Sequence, residues 1–507
     1  MNYYEAFRRF VKEQNIERKH AMLFKGQATT YQELLEKASR TATVLNSECG
    51  VSKGQVVGLY MNNCIEYIAC LLGVAKIGAA SLPIDTLLTH YEIQPMLEVT
   101  ETQAVIVSPQ FLPTVEEMSP KLPNLRKVIV QSEECSHGTL SYFDLLKRAE
   151  PLPDSETKGE SDDPMLILFT SGTTGLPKGV PLTHKNLLAI IDGMQECFSP
   201  FGEMVILQPL PFSHVFGLHS ITMSCLFLKT PVVLMDRWNG EEAAKLIEAC
   251  RVSWLLAVPT IIIDLLNYVD KYDLSSLNMI ISGGASLPAA LVDRVKQSLH
   301  VSLGNCMGLT EGSGVSCAMP VGIPEKFGSI GPPLHGIECR IVDDNDNELP
   351  RGEIGELVQR GASNMNGYLK APEATSQALR GGWLHTGDLA RMDEDGYVYI
   401  VDRKKDMIVR GGYNIFPTEV EAAIYEYPKV SEVAVFSVTD ARKGETVGAA
   451  VVARPGETLT SEEIIEHCQK RLARYKIPKY IKIMDSLPKS PTGKILRREL
   501  RSMEMTA

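Results

Sequence analysis

The residues best suited to chemistry lie between Leu168 and Val180, in the run Leu-Phe-Thr-Ser-Gly-Thr-Thr-Gly-Leu-Pro-Lys-Gly-Val. Thr170, Ser171, Gly172, Thr173, Thr174 and Gly175 are all hydroxyl-bearing or glycine, and Lys178 follows at the far end. Glycines let backbone N–H groups approach an anion closely, and hydroxyls add donors. A single ammonium then supplies a point charge for a polyphosphate. This is the chemistry of a phosphate-cradling loop. It differs from the pattern G-x-x-x-x-G-K-[ST], because no Gly-Lys-Ser/Thr triplet is present. Composition alone would also suit an ordinary Gly/Ser/Thr turn.

Five further stretches hold polar residues at the ends of apolar runs. Leu210-Pro-Phe-Ser-His-Val-Phe-Gly217 offers His214 between Phe212 and Phe216. Met279-Ile-Ile-Ser-Gly-Gly-Ala-Ser286 reads as a strand ending in a glycine turn, with a helix capped by Ser286 and Pro288 near its start. Asn305-Cys-Met-Gly-Leu-Thr-Glu311 and Trp383-Leu-His-Thr-Gly-Asp-Leu389 each end on a carboxylate. Pro488-Lys-Ser-Pro-Thr-Gly-Lys494 is a loop whose lysine, taken alone, would be merely solvated.

In order and spacing these motifs resemble the adenylate-forming acyl-CoA synthetases, the group that includes firefly luciferase and peptide-synthetase adenylation domains. The resemblance covers nearly the whole chain. It implies that Thr170 to Gly175 and Lys178 hold the phosphates of ATP, and that Gly283, Gly284 and Ala285 lie along the adenine. Met307 stands, beside Gly308, where the family has a tyrosine stacked on adenine. Thr310 is implied to bond phosphate oxygens, and Glu311 to hold Mg2+ as a hard oxygen ligand. Asp388 is implied to accept hydrogen bonds from the ribose hydroxyls, with Ile400 and Arg403 completing the nucleotide site. Asp402 matches the hinge between two domains, Lys494 the catalytic lysine, and Gly411-Gly412-Tyr413 the turn beside the thiol of coenzyme A. His214 flanks the bound carboxylate. An ionised carboxylate has no proton to give up, so an orienting role fits it better than acid–base work. Phe212, Phe216, Gly217 and Val258 are implied to line the acyl pocket. Arg471, Arg474, Lys476, Lys479 and Lys482 either form a solvated face or meet the phosphates of coenzyme A.

The chemistry this implies has two steps. A carboxylate attacks the α-phosphate of ATP, giving acyl-AMP and pyrophosphate; a thiol then displaces AMP. Amino-acid-activating relatives carry Asp where this chain has Ser213, which disfavours amino acids. The apolar stretches 212–228 and 258–266 suit an alkyl or aryl chain. Ser282-Gly-Gly-Ala285 and the run Asp402-Arg-Lys-Lys-Asp-Met-Ile-Val-Arg-Gly-Gly-Tyr-Asn414 are most similar to bacterial fatty-acyl-CoA synthetases. The expectation is a medium- or long-chain fatty-acid–CoA ligase using ATP, Mg2+ and coenzyme A. Alternatives are an acyl-AMP ligase loading a carrier protein, an aryl- or dicarboxylate-CoA ligase, and a non-catalytic nucleotide binder. A binder has no need of both Lys178 and Lys494.

The elements that must position these residues follow from periodicity. Buried strands such as Val56–Tyr60 and Ala104–Ser108 alternate with helical stretches such as 63–77, and Thr30 with Glu33, like Thr460 with Glu463, reads as a capping box. This rhythm predicts an α/β fold: a large N-terminal domain of mostly parallel sheets flanked by helices, and a smaller, mobile C-terminal α+β domain. At 507 residues the chain is too long for one core, and the expected domains are 1–401 and 402–507. The composition, 44% apolar and 22% charged, is that of a globular enzyme. A net charge of −11 weighs against a nucleic-acid partner. Eleven cysteines without a CxxC pair read as reduced thiols of a cytoplasmic protein. No basic, apolar leader opens the chain, and no run of ~18 apolar residues could span a bilayer. A monomer or homodimer is expected.

Overall fold

Short β-branched strands buried on both faces, each followed by a helix, assemble as parallel sheets because the helix returns the chain to the same edge. The computed structural model describes residues 1–133, 138–170, 177–198, 204–320, 326, 328–440, 443–490 and 493–503. One sheet has seven strands, in the order Leu140–Ser141, Lys127–Val130, Ala104–Val107, Val56–Tyr60, Ala80–Pro83, Pro164–Thr170 and Lys178–Thr183. All of its pairings are parallel except the last. A second sheet has eight strands, in the order Gly314–Ala318, Ser302–Leu309, Met279–Ser282, Trp254–Ala257, Ile206–Gln208, Val232–Leu234, His20–Phe24 and Gln27–Thr30. It is parallel in its middle and antiparallel at both edges. Ile65–Lys76 is buried along its whole length, as expected of a helix enclosed on every side.

A four-stranded antiparallel sheet follows, Ile337–Val342, Gly355–Gly361, Leu384–Met392 and Val398–Arg403. From Ile408 onward the chain builds another sheet, with Gly444–Ala453 at its centre. In that sheet Val430–Asp440 is an edge strand paired only with Gly444–Ala453, and the apolar core lies around Ile408, Val420, Val433, Val451 and Ile464. The capping boxes Thr30/Glu33 and Thr460/Glu463 are both formed. Ser286 does not cap the next helix. That helix runs Ala289–Leu299 and is preceded by Pro288, whose extended backbone (ψ 138°) postpones the helical turn. Among the described residues no helix is long and apolar enough to cross a membrane.

The core also buries titratable groups. His184 is 0% exposed, and its Nδ1 accepts the backbone N–H of Tyr3 at 3.1 Å. Burial pulls its pKa down to about 4. The unfolded chain, with histidine near 6.5, therefore binds the proton more readily than the fold does. This stability is present above about pH 6.5 and is lost as pH falls towards 4. Denaturant melts between pH 7 and 4.5 should show a loss of about 2 kcal/mol from this residue, and His184→Gln should flatten that slope. An equal slope in the variant would remove His184 from the account.

Candidate active site

Open parallel sheets bind ligands beyond the carboxyl ends of their strands, where the following loops diverge. The sequence motifs gather there. Val258 follows Trp254–Ala257, Gly283 follows Met279–Ser282, and Thr310 and Glu311 follow Ser302–Leu309. His214 lies between the strand Ile206–Gln208 and the π-helical segment Phe216–Met223. Such segments recur at functional sites.

Thr170 and Lys178 are ladder partners in antiparallel strands. Ser171, Gly172, Thr173, Thr174 and Gly175 lie outside the described residues. The Lys178 Nζ stands 5.1 Å above the ring of Tyr368. The Tyr368 hydroxyl donates to Glu311 Oε1 at 2.9 Å. Two backbone bonds fix the same stretch: Leu369 N–H donates to Gly179 O at 2.8 Å, and Met365 N–H to Glu311 O at 2.7 Å. Residues 365–369 thus tie the strand Lys178–Thr183 to Glu311. Thr310 is nearly buried, Glu311 is half-buried, and Gly308 abuts the Gly314 carbonyl. Among the described residues Glu311 has no ion-pair partner. Among the described residues its second oxygen, Oε2, accepts no hydrogen bond, and a hard carboxylate oxygen fits Mg2+ on donor chemistry.

Lys494 reaches this cleft from the C-terminal unit. Gly493 adopts φ +77°, and a Cβ there would stand only 2.7 Å from Thr260 Oγ1, so glycine is needed for the approach. A Cβ placed on Gly284 would stand 3.4 Å from Lys494 Cε, so the lysine stem runs along the glycine turn. Burial, and then the nearby Arg403, pull the Lys494 pKa down to about 8, against the attraction of Asp388 and Glu311.

Asp388 and Arg403 are ladder partners, and Arg403 Nε donates to Asp388 Oδ1 at 3.0 Å. Burial raises the Asp388 pKa, opposed by Arg403 and Lys494. Met307 and Ile400, both half-buried, pack against the same small core around Ile341 and Val398. Gly283 backs onto Phe216 and Cys306, while Ala285 is exposed. Asp402 is buried. Its carboxylate accepts the N–H groups of Arg403 at 2.7 Å and Thr418 at 3.0 Å. Thr418 lies in the first turn of the helix Pro417–Tyr425, so Asp402 joins the last strand of the four-stranded sheet to the C-terminal unit.

His214 Nδ1 accepts the N–H of Phe216 at 3.1 Å. Burial, and then Lys494, pull its pKa down to about 3. The imidazole is therefore neutral near pH 7, and with Nδ1 an acceptor its proton sits on Nε2 as a donor. Phe212 is buried in the core, its ring edge-on to Tyr67 at 5.1 Å. Gly217 is enclosed by Leu210 and Pro211, and Val258 packs near Gly284 and Gly493.

Gly411 and Gly412 (φ +58° and +87°) form the two-residue turn between Ile408–Arg410 and Tyr413–Ile415, which a type I′ hairpin requires. Tyr413 is 59% exposed and stacks on Tyr475 with ring centroids 4.7 Å apart. These residues belong to the outer surface of the C-terminal unit, whereas Lys494, Glu311, Asp388, Arg403, His214 and Gly284 converge on the cleft. Tyr368 was missed in the sequence. It stands in Gly367-Tyr-Leu-Lys-Ala-Pro372, where nothing in residue type or spacing marks it.

A family model described as AMP-binding enzyme matches residues 7–369, and one described as AMP-binding enzyme C-terminal domain matches 419–494. The long-chain-fatty-acid–CoA ligase of Escherichia coli O6:H1 is 32% identical, with 94% of this chain and 90% of that protein covered. The 4-coumarate–CoA ligase 1 of Solanum tuberosum is 32% identical, with 93% and 88% covered. The crystal structure of the anthranilate CoA ligase AuaEII with anthranoyl-AMP aligns with a TM-score of 0.92 at 27% identity, covering 99% of this chain and 97% of that one. With the cleft described above, the chain belongs to the AMP-binding enzyme family. Within that family it is an acid–thiol ligase that forms AMP, of the acyl- or aryl-CoA ligase type.

Proposed function

We propose that the chain joins a medium- or long-chain fatty acid to coenzyme A at the expense of ATP, through an acyl-AMP intermediate. The observation that carries this reading is Lys494, buried over Gly284 in the field of Arg403, Asp388 and Glu311. The first step must bring two anions together. A carboxylate oxygen forms its bond to the α-phosphorus while the bond to the pyrophosphate oxygen breaks. Lys494 offsets the charge of both partners, Lys178 that of the leaving pyrophosphate, and the His214 Nε2 proton orients the carboxylate. Glu311 would hold Mg2+, which when bound supplies further positive charge to the triphosphate. Asp388 and Arg403 would take the ribose, and Met307, Gly308, Ile400 and Gly283–Ala285 the adenine. Phe216 and Val258 would face the acyl chain, with Phe212 and Gly217 shaping the turn behind them.

In the second step the thiol sulfur attacks the acyl carbon and the bond to AMP breaks. Lys494 has no remaining task there. The family relatives that act on coumarate and anthranilate make the acid an experimental matter. Pyrophosphate release should be measured with acids from acetate to stearate, with benzoate, 4-coumarate and malonate alongside, and with coenzyme A or a carrier protein as acceptor. The reading expects greatest kcat/KM between octanoate and palmitate with coenzyme A. A clear preference for an aryl acid, or for the carrier protein, would overturn it.

Glu311→Gln is expected to cut pyrophosphate formation by about 10²-fold at limiting Mg2+, with an unchanged melting temperature. Near-normal turnover at limiting Mg2+ would sink the assignment of Glu311.

A further inference from the structure

The Glu311 carboxylate does not face the cleft with both oxygens free. Tyr368 lies 57 residues away in sequence, and its hydroxyl donates to Oε1 at 2.9 Å. The other face of the same side chain is also occupied, because Lys178 Nζ sits 5.1 Å above the ring. Tyr368 is itself fixed. Its backbone N–H donates to Thr375 Oγ1 at 2.9 Å, and Leu369 beside it is bonded to Gly179. One tyrosine therefore touches both this carboxylate and this ammonium.

The hydrogen bond restricts what Glu311 can do. With Oε1 engaged by a donor, chelation of one cation through both oxygens is disfavoured, and Oε2 is left to bind alone. Mg2+ is small, demands near-octahedral geometry and takes a single carboxylate oxygen, while Ca2+ readily takes both. We propose that Tyr368 is a positioning residue that holds Glu311 to one-oxygen coordination, favouring Mg2+ over Ca2+, and that its ring seats Lys178 for the phosphates. This rests on the reading of Glu311 as the cation ligand.

The test uses the full chain with α,β-methylene ATP, whose α–β bridge cannot be cleaved, and Mn2+ as a spin probe. Displacement of protein-bound Mn2+ by Mg2+ and by Ca2+ is followed by electron paramagnetic resonance for the wild type, Tyr368→Phe, Tyr368→Leu and Glu311→Gln. In Tyr368→Phe the ratio of Ca2+ to Mg2+ affinity should move about five- to tenfold towards Ca2+. Affinity for the nucleotide without cation should stay unchanged, because the ring over which Lys178 rests is retained. Tyr368→Leu should show the same cation shift and, in addition, weaker nucleotide binding without cation. A tyrosine that served folding alone would give none of this selectivity change. An unaltered Ca2+ to Mg2+ ratio in Tyr368→Phe, with Glu311→Gln losing the Mn2+ site, overturns the inference and leaves the cation reading of Glu311 intact. An unaltered Mn2+ site in Glu311→Gln overturns both.

Discussion

Lys494→Ala is expected to lower acyl-AMP formation by about 10²–10³-fold while sparing thioester formation from supplied acyl-AMP. The lysine comes from the loop 488–494 and ends between groups of both signs, with Asp388 and Glu311 attracting and Arg403 repelling. An ammonium there offsets charge only while ATP and carboxylate meet, since acyl-AMP has lost the pyrophosphate. The direction of its pKa shift adds a second readout. Held near 8, Lys494 loses its proton as pH rises through that value. The free-enzyme profile of kcat/KM for ATP should therefore fall above about pH 8, and Lys494→Arg, whose charge persists, should lack this limb. Single-turnover pyrophosphate release and coenzyme A consumption from acyl-AMP measure the two half-reactions separately. Equal loss in both would show that the lysine serves the cleft as a whole.

Asp402→Pro is expected to keep most of the acyl-AMP-forming rate and to lose thioester formation by on the order of 10²-fold. The structure has Lys494 in the cleft and Gly411-Gly412-Tyr413 on the outer surface, an arrangement suited to the first step. We propose that this glycine turn meets the thiol only after the C-terminal unit rotates, and hinges are residues at element ends that absorb a large change in φ and ψ. Asp402 sits at the end of Val398–Arg403, the last strand before the C-terminal sheet begins. Proline fixes φ near −65° and restricts Val401 before it. The substitution also removes a carboxylate that accepts from Arg403 and Thr418. Asp402→Ala separates the two effects, because it loses the carboxylate and keeps backbone freedom. The rotation account expects alanine to retain both half-reactions far better than proline. If alanine loses thioester formation as fully as proline does, Asp402 acts through its carboxylate and the hinge lies elsewhere.

Much of this protein was legible in one dimension, because the governing contacts are short. The capping boxes Thr30/Glu33 and Thr460/Glu463 join residues three apart, and the Gly411–Gly412 turn needs only two residues free to take positive φ. Apolar runs such as Ala104–Val107 announce strands buried on both faces. The identities of Glu311, Asp388 and Lys494, in order, marked the family before any coordinate was known. Even locally one competitor was overlooked: Pro288 moved the helix start past Ser286.

Tertiary structure alone decided how those residues act. That His214 is a neutral donor follows from the Phe216 N–H on its Nδ1 and from enclosure in the cleft, neither of which residue type reveals. That the Lys494 pKa is pulled down to about 8 depends first on its burial and then on Arg403, against Asp388 and Glu311, each carried in by a different strand or turn. Tyr368 touches Glu311 across 57 residues because loop 365–369 is bonded to Gly179 on one side and to Glu311 on the other. Hydrogen bonds need atoms within about 3 Å and charge interactions weaken with distance and with screening by water and salt, so they act strongly only once packing has brought the segments together. The sequence by itself determined which groups the enzyme owns; the fold decided which of them meet, and in what state of charge.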